Sequence, residues 1–292
     1  MYGRAVLAAV LYLASVGSTI AGEGVPSAAP RVAPAERGQR LLIPAAGGKV
    51  EMITPVLLPS GAGPHPLAVV NHGTTKNDEL RADYAEPSFE IASRWLLAHG
   101  YAVALPQRPG HGKTGGPYLE SAHGCADARF EQAGYATADS IEAAVTYLLA
   151  QPFIRKQSPL VVGHSAGAWG ALALASRSKG LVAGVINFAG GRGGRSYGVA
   201  NRNCAPDRLV GAAAYFGSTT RVPTLWLYAQ NDSFFGPDLS RRMAVAFRSA
   251  GGAADYSVLP AVGEEGHYLI YYAEAVPYWG PIAERFLARL RR

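Results

Sequence analysis

Leu160-Val161-Val162-Gly163-His164-Ser165-Ala166-Gly167 is the stretch from which the fold of this chain is read. Three apolar residues in succession, with no polar alternation, are what a strand buried on both faces requires. The residues that follow, 166–175, are small and apolar and read as a helix. Between the two, Gly-x-Ser-x-Gly has to turn a strand sharply into a helix. Gly163 and Gly167 remove the side chains that would collide there. Ser165 is left at the tip, in a strained conformation, above the free N–H groups and positive dipole end of the helix, which favour developing negative charge. As a bare string the five residues describe only a tight turn. In a strand–turn–helix context they make Ser165 a candidate nucleophile.

A serine hydroxyl needs a base, and the base needs an orienting acid. The chain has seven histidines: His65, His72, His99, His111, His123, His164 and His267. His164 belongs to the turn itself. His72 and His111 lie in glycine-containing loops upstream, and His65 and His99 read as solvent-facing. His267, in Gly263-Glu264-Glu265-Gly266-His267, follows the last expected strand, where a loop can carry an imidazole over the strand ends. For the acid, Thr224-Leu225-Trp226-Leu227-Tyr228-Ala229-Gln230-Asn231-Asp232 is a strand running into a polar turn with Asp232 at its exit. Asp238, in an early helical turn, and Asp255, at a strand start, are the weaker alternatives. The order Ser165, Asp232, His267 matches a relay in which the acid holds the imidazole tautomer and stabilises the imidazolium.

Working outward, strands alternate with helices. Residues 40–43 and 50–58 read as a hairpin about Ala45-Ala46-Gly47-Gly48. Strands are expected at 67–70, 101–105, 160–162, 181–188, 224–228 and 255–259. Helices are expected at 90–99, 127–149, 166–175, 237–250 and 278–290. Such alternation implies a mostly parallel central sheet with helices on both faces, in one domain over 40–292. Trp169, one turn past Ser165, reads as core.

Composition narrows the function further. The 292 residues are 49% hydrophobic and only 16% charged, which excludes intrinsic disorder. Residues 1–21 open with one charge, Arg4, continue with an apolar run and end on small residues at Thr19-Ile20-Ala21, the parts of a secretory signal peptide. Residues 22–39 read as a flexible lead-in. The expected location is therefore periplasmic or secreted, with no stable membrane span after cleavage. The net charge of +6 is scattered rather than clustered, and nothing suggests nucleic acid. The two cysteines, Cys125 and Cys204, have no metal-ligand spacing and suit an oxidising compartment. They read as a disulfide, with two buried thiols as the alternative.

Taken together, the Gly163–Gly167 elbow, the Asp232 turn, the Gly266-His267 loop and Val69-Val70-Asn71-His72-Gly73-Thr74 resemble the α/β-hydrolases. The resemblance covers residues 40–290, and is greatest to the dienelactone-hydrolase-related and esterase/lipase branches. It implies the α/β-hydrolase fold with a small cap segment, set at 197–216, and an oxyanion hole from the N–H groups of Thr74 and Ala166. It also implies hydrolysis of a small-molecule carboxylic ester through an acyl-enzyme on Ser165, without metal or organic cofactor. Dienelactone hydrolases proper use a cysteine nucleophile; Ser165 stands here instead, which directs the expectation to a general ester. A serine peptidase or amidase on the same fold, and a binding protein that kept only the scaffold, are the rival readings. Arg108-Pro109-Gly110-His111-Gly112 resembles a structural loop of the family. Residues 190–195 read as a loop rather than a phosphate cradle, with Arg192 as a candidate contact for a substrate carboxylate.

Overall fold

The computed structural model describes residues 37–178 and 180–291. The expected signal peptide and residues 22–36 of the expected lead-in lie outside them. The fold begins with β1 (Arg37–Pro44) and β2 (Glu51–Leu58), paired antiparallel from Arg37 opposite Leu58 to Pro44 opposite Glu51. Gly47 and Gly48 supply the left-handed φ angles, 84° and 70°, of the connecting turn. Then come β3 (Leu67–Asn71), the single-turn α1 (Asp78–Ala82), α2 (Glu90–Ala98), β4 (Ala102–Ala104) and α3 (Phe130–Leu149). The second half alternates regularly: β5 (Leu160–His164), α4 (Ala166–Arg177), β6 (Gly184–Phe188), α5 (Pro206–Thr219), β7 (Thr224–Ala229), α6 (Pro237–Ser249), β8 (Ala254–Leu259) and α7 (Val276–Leu290).

The eight strands form one sheet in the order β1-β2-β4-β3-β5-β6-β7-β8, antiparallel from β1 to β4 and parallel from there on. Strand β5, which carries the Ser165 turn at its C-terminal end, lies between β3 and β6. Every residue of β3, β5, β6 and β7 is buried, which explains their unbroken apolar character. Neighbouring residues on a strand point to opposite faces, and the aromatic contacts use this. Phe188 meets Trp279 of α7 edge-on at 5.4 Å, and Trp279 in turn meets Trp95 of α2 at 5.1 Å. Trp226, aligned with Asn187 and so on the other face, meets Phe247 of α6 at 5.2 Å. Helices α2 and α7 thus cover one face and α3 to α6 the other.

Where boundaries differ from the sequence reading, local chemistry accounts for it. Helix α3 starts at Phe130 rather than 127 because the Asp127 carboxylate accepts the N–H of Gly124 in a preceding turn. Helix α7 starts at Val276, with Pro277 in the first turn, where a missing N–H costs nothing. Strand β1 begins at Arg37, inside the expected lead-in.

The cap expected at 197–216 is a larger correction. Residues from Pro206 onward form α5, a helix of the layer itself, with Leu209, Ala212, Ala213 and Phe216 buried against the sheet side. Gly217 lets α5 approach α6 so closely that a Cβ there would lie 2.2 Å from the Phe247 carbonyl oxygen. The spacing of Leu209, Ala212 and Phe216 is the signal of a layer helix. Only the loop at 190–205 remains as cover.

A disulfide joins Cys125, before α3, to Cys204, before α5, across 79 residues of sequence. A loop of that length removes enough unfolded-chain entropy to stabilise the native state by about 4 kcal/mol. The Cys125→Ala, Cys204→Ala double variant is expected to lose about that much in urea unfolding, measured against the oxidised wild type.

Candidate active site

At the end of β5 the backbone of Ser165 has φ 53° and ψ −120°, a conformation that side chains rarely adopt and that needs support from its surroundings. The support is steric and polar. A Cβ on Gly163 would lie 2.4 Å from the amide nitrogen of Ala168, and one on Gly167 would lie 2.3 Å from the carbonyl oxygen of Asn71. Both glycines are therefore required by backbone approach. The Ser165 N–H donates to the Phe188 carbonyl (3.0 Å), and its carbonyl accepts from Trp169 (3.0 Å), the first turn of α4. Trp169 itself is wholly buried, its indole N–H bonded to the Phe130 carbonyl.

Two loops bring Asp232 and His267 together. After β7, the Asp232 carboxylate accepts two backbone bonds through Oδ1, from Phe234 and Phe235, both at 2.8 Å. Its Oδ2 is thereby aimed at the imidazole, 3.3 Å from His267 Nδ1. Both side chains are buried, and Phe234 lies flat against the imidazole at 4.2 Å. Asp238 and Asp255 stand elsewhere, the first in the opening turn of α6 and the second in an exposed ion pair with Arg289.

Two further residues hold this pair, and neither is singled out by the sequence reading. The Glu265 carboxylate accepts the N–H of Ser233 (2.9 Å), the Ser233 hydroxyl and the N–H of His267 (3.1 Å), tying the Asp232 loop to the His267 loop. Burial opposes its ionisation, but these hydrogen bonds keep Glu265 below the usual carboxylate range. His164, next to the serine, donates from Nε2 to the carbonyl of His267 at 2.9 Å. Burial, and then the neighbouring His267, push its pKa well down, so it serves as a neutral strut. The Gly-Glu-Glu-Gly-His spacing offers a signal for Glu265; nothing in the sequence offers one for His164.

The loop after β3 passes in front of the serine. A Cβ on Gly73 would lie 3.2 Å from the Ser165 Cβ, so the loop runs close against the serine, and Thr74 lines the same cavity. The loop is anchored by Arg108, which donates to the carbonyls of His72 (2.7 Å) and Gly73 (3.4 Å), while its own N–H donates to His72 Nε2 (3.0 Å). That fixes the proton of His72 on Nδ1, which donates to the Gly73 carbonyl at 2.6 Å. Arg108 is paired with Glu120, and Glu120 also binds Arg192 at 3.0 Å. Burial penalises the Glu120 charge, but the two guanidinium groups outweigh it and hold the carboxyl far below its ordinary range. Arg192 donates as well to the Thr137 hydroxyl (2.7 Å), so it is committed to structure rather than free for a substrate carboxylate.

His111 completes the anchoring. Its Nδ1 faces the carbonyls of Arg108 and Pro109 and so carries the proton, leaving Nε2 to accept from the Thr74 hydroxyl at 2.7 Å. The two histidines read as solvent-facing are also partly withdrawn: His65 is buried, bonded through its backbone to Phe153 and Arg155, and His99 lies on the Trp95 ring at 3.9 Å.

Ser165, Ala166, Thr74 and His267 line one cavity of about 1310 Å³. The loop at 190–205 forms one wall and the loop before α3 another, and the Cys125–Cys204 bridge links the two. Among the described residues, no helix is long and apolar enough to cross a membrane.

Comparison with known proteins agrees with this architecture. The model of the alpha/beta hydrolase family matches residues 56–292. The chain belongs to that family. No curated protein sequence matches this hydrolase. Its fold is similar to that of a puromycin-hydrolyzing peptidase of Mycobacterium tuberculosis (19% identity, TM-score 0.59), over 87% of this chain and 41% of that one. It is similar also to an esterase of Pyrococcus furiosus (16% identity, TM-score 0.59), over 89% of this chain and 98% of that one. A Klebsiella pneumoniae protein assigned as a dienelactone hydrolase is matched over 89% of this chain and all of its own length (16% identity, TM-score 0.58). This hydrolase thus spans about two fifths of the peptidase and nearly the whole of the esterase.

The buried histidines make stability depend on pH. Burial, and then the Arg108 charge, lower the His111 pKa to about 4. In the unfolded chain the same imidazole titrates near 6.5. Between those values the unfolded state binds more protons, so native stability falls as pH falls, by about 3 kcal/mol for this group over the whole interval. His111→Asn is expected to shrink the difference between urea midpoints at about pH 7 and pH 4.5. An unchanged difference would mean that His111 is not held neutral by the fold.

Proposed function

We propose that this hydrolase cleaves carboxylic esters by two-step acyl transfer on Ser165, with His267 as the general base and acid and Asp232 as its orienting partner. One observation carries the reading. A serine in a strained strand-to-helix turn shares a cavity with an imidazole whose other nitrogen already faces a buried carboxylate. His267 takes the hydroxyl proton as Ser165 attacks the ester carbonyl. Negative charge on the former carbonyl oxygen meets the N–H groups of Thr74 and Ala166. Ala166 is the first residue of α4, where an N–H has no partner within the helix. The alcohol leaves with the proton from His267, and water repeats the sequence on the acyl-enzyme. Donors fixed before the reaction need no reorganisation, and one such donor is worth about 3 kcal/mol in the transition state.

An amide substrate is the second reading, favoured by the peptidases among the similar structures: beside the puromycin-hydrolyzing enzyme stands dipeptidyl peptidase 4 of Porphyromonas gingivalis (TM-score 0.64, 16% identity), 35% of which this chain covers. A modest cover over a wide cavity suits a small ester better. We also infer export, on the composition of residues 1–21 and on the disulfide, which persists in oxidising compartments.

The test is a panel of 4-nitrophenyl esters of graded chain length with wild type and Ser165→Ala, run beside aminoacyl anilides and an organophosphonate probe. Ester turnover is expected to fall by about 10⁴-fold or more in the variant, and labelling to vanish. Full turnover in Ser165→Ala overturns the mechanism. Faster anilide cleavage selects the peptidase reading, and an unlabelled, inactive wild type leaves only a binding scaffold.

A further inference from the structure

Two properties of the cavity are unused by the proposed chemistry, and together they define a substrate class within the ester-hydrolase reading, on which that class rests. The first is an aromatic lining contributed by separate segments. Phe234 follows β7, Tyr268 and Tyr271 follow β8, and Tyr118 precedes α3. Tyr268 and Tyr271 are 40% and 38% exposed, so part of each ring is open to a ligand in the cavity.

The second property is charge. Lys76, Arg81, Arg192 and Arg195 line the cavity against one acidic residue, Asp78. Two of these cations are already satisfied: Arg81 is paired with Asp78 and stacked on Tyr118, and Arg192 is paired with Glu120. The other two are less engaged. Lys76 is exposed and forms no ion pair among the described residues. Arg195 stands 3.5 Å from Glu265, a carboxylate whose oxygens already accept from Ser233 and His267. The Arg195 guanidinium also lies over the Phe234 ring, 5.3 Å from its centre, so a partly exposed cation adjoins the aromatic wall beside His267.

We propose that the site takes esters whose carbonyl is attached to an aromatic ring bearing a negative charge, a carboxylate being the simplest. The ring lies along the aromatic wall, and its anion meets Lys76 and Arg195. A cation beside a ring face complements an aryl anion in both parts. Partly exposed cations each contribute modestly and act through a field that salt weakens.

The test compares kcat/KM for monomethyl terephthalate, for neutral methyl 4-methylbenzoate and for monomethyl cyclohexane-1,4-dicarboxylate, each divided by its rate with hydroxide. The anionic aryl ester is expected to lead the neutral one by about fivefold and its saturated counterpart by about threefold. The first ratio is expected to shrink as salt rises from about 20 to about 500 mM. Lys76→Gln, a surface change, lowers the first ratio in part, and Lys76→Gln with Arg195→Gln brings it near one. Equal rates, or a lead for the neutral ester, overturn the proposal if 4-nitrophenyl acetate is still cleaved through Ser165. If no ester is cleaved, the hydrolase reading fails instead, and binding decides this one. Calorimetric titration of Ser165→Ala with terephthalate is expected to give saturable, salt-sensitive binding at millimolar concentration, and no binding overturns the substrate class.

Discussion

The left-handed backbone of Ser165 costs of order 1–3 kcal/mol on its own, and the surrounding structure exists in a form that does not let it relax. The constraint is close approach. Strand β5 lies between β3 and β6, and its last residues are hydrogen-bonded or in van der Waals contact with both. Gly167 packs on the carbonyls of Asn71 and His72, and Gly163 packs on the first turn of α4. To relax the serine, either the helix would have to rise off β3 or β5 would have to leave the sheet. Four strands buried on both faces forbid the second, and a helix buried along almost its whole length forbids the first.

The same packing organises the polar groups around the serine. Two arginines share one glutamate in a dry place, which leaves an excess positive charge beneath the loop that carries Thr74. A buried ion network of this kind is weak evidence for stability, because desolvation offsets much of the attraction. Its geometric consequence is clearer. Arg108 reaches three groups of the 71–75 loop, and His111 fixes the Thr74 hydroxyl, so the loop is tied down at His72, Gly73 and Thr74. On the other side Glu265 and His164 do the same for the loops that carry Asp232 and His267. Thr74 and His267 are thus each held by side chains that have no proposed role in the chemistry.

How much of this is legible in the sequence depends on whether a feature is local. The Ser165 turn, the strands expected at 67–70 and 224–228 and the hairpin about residues 45–48 are written in contiguous residues, so periodicity and glycine placement find them. Asp232 and His267 are picked out by position relative to expected strand ends, and the two loops do bring their side chains within 3.3 Å. Residues whose partners are distant in sequence are not legible. Glu120 binds Arg108 and Arg192 over 12 and 72 positions, and His164 reaches a carbonyl 103 positions away. The cap is misread for a different reason: a family habit outweighs the helical spacing of Leu209, Ala212 and Phe216, which the chain obeys.

That correction changes the character of the site. With residues from Pro206 onward taken into the helical layer, the cover over Ser165 is a loop shorter than the small cap expected, and a short loop has little apolar surface with which to hold itself down. Its fixing is covalent and polar instead. Cys204 ties its end to Cys125, the Cys204 N–H donates to the Gly193 carbonyl, and the Arg195 side chain reaches Glu265. Glu265 in turn holds His267, so the wall of the cavity and the imidazole beneath it share one carboxylate. A change that draws Arg195 toward a ligand therefore acts on a group in direct contact with the His267 loop, and the recognition proposed for Arg195 is mechanically adjacent to the positioning of the imidazole.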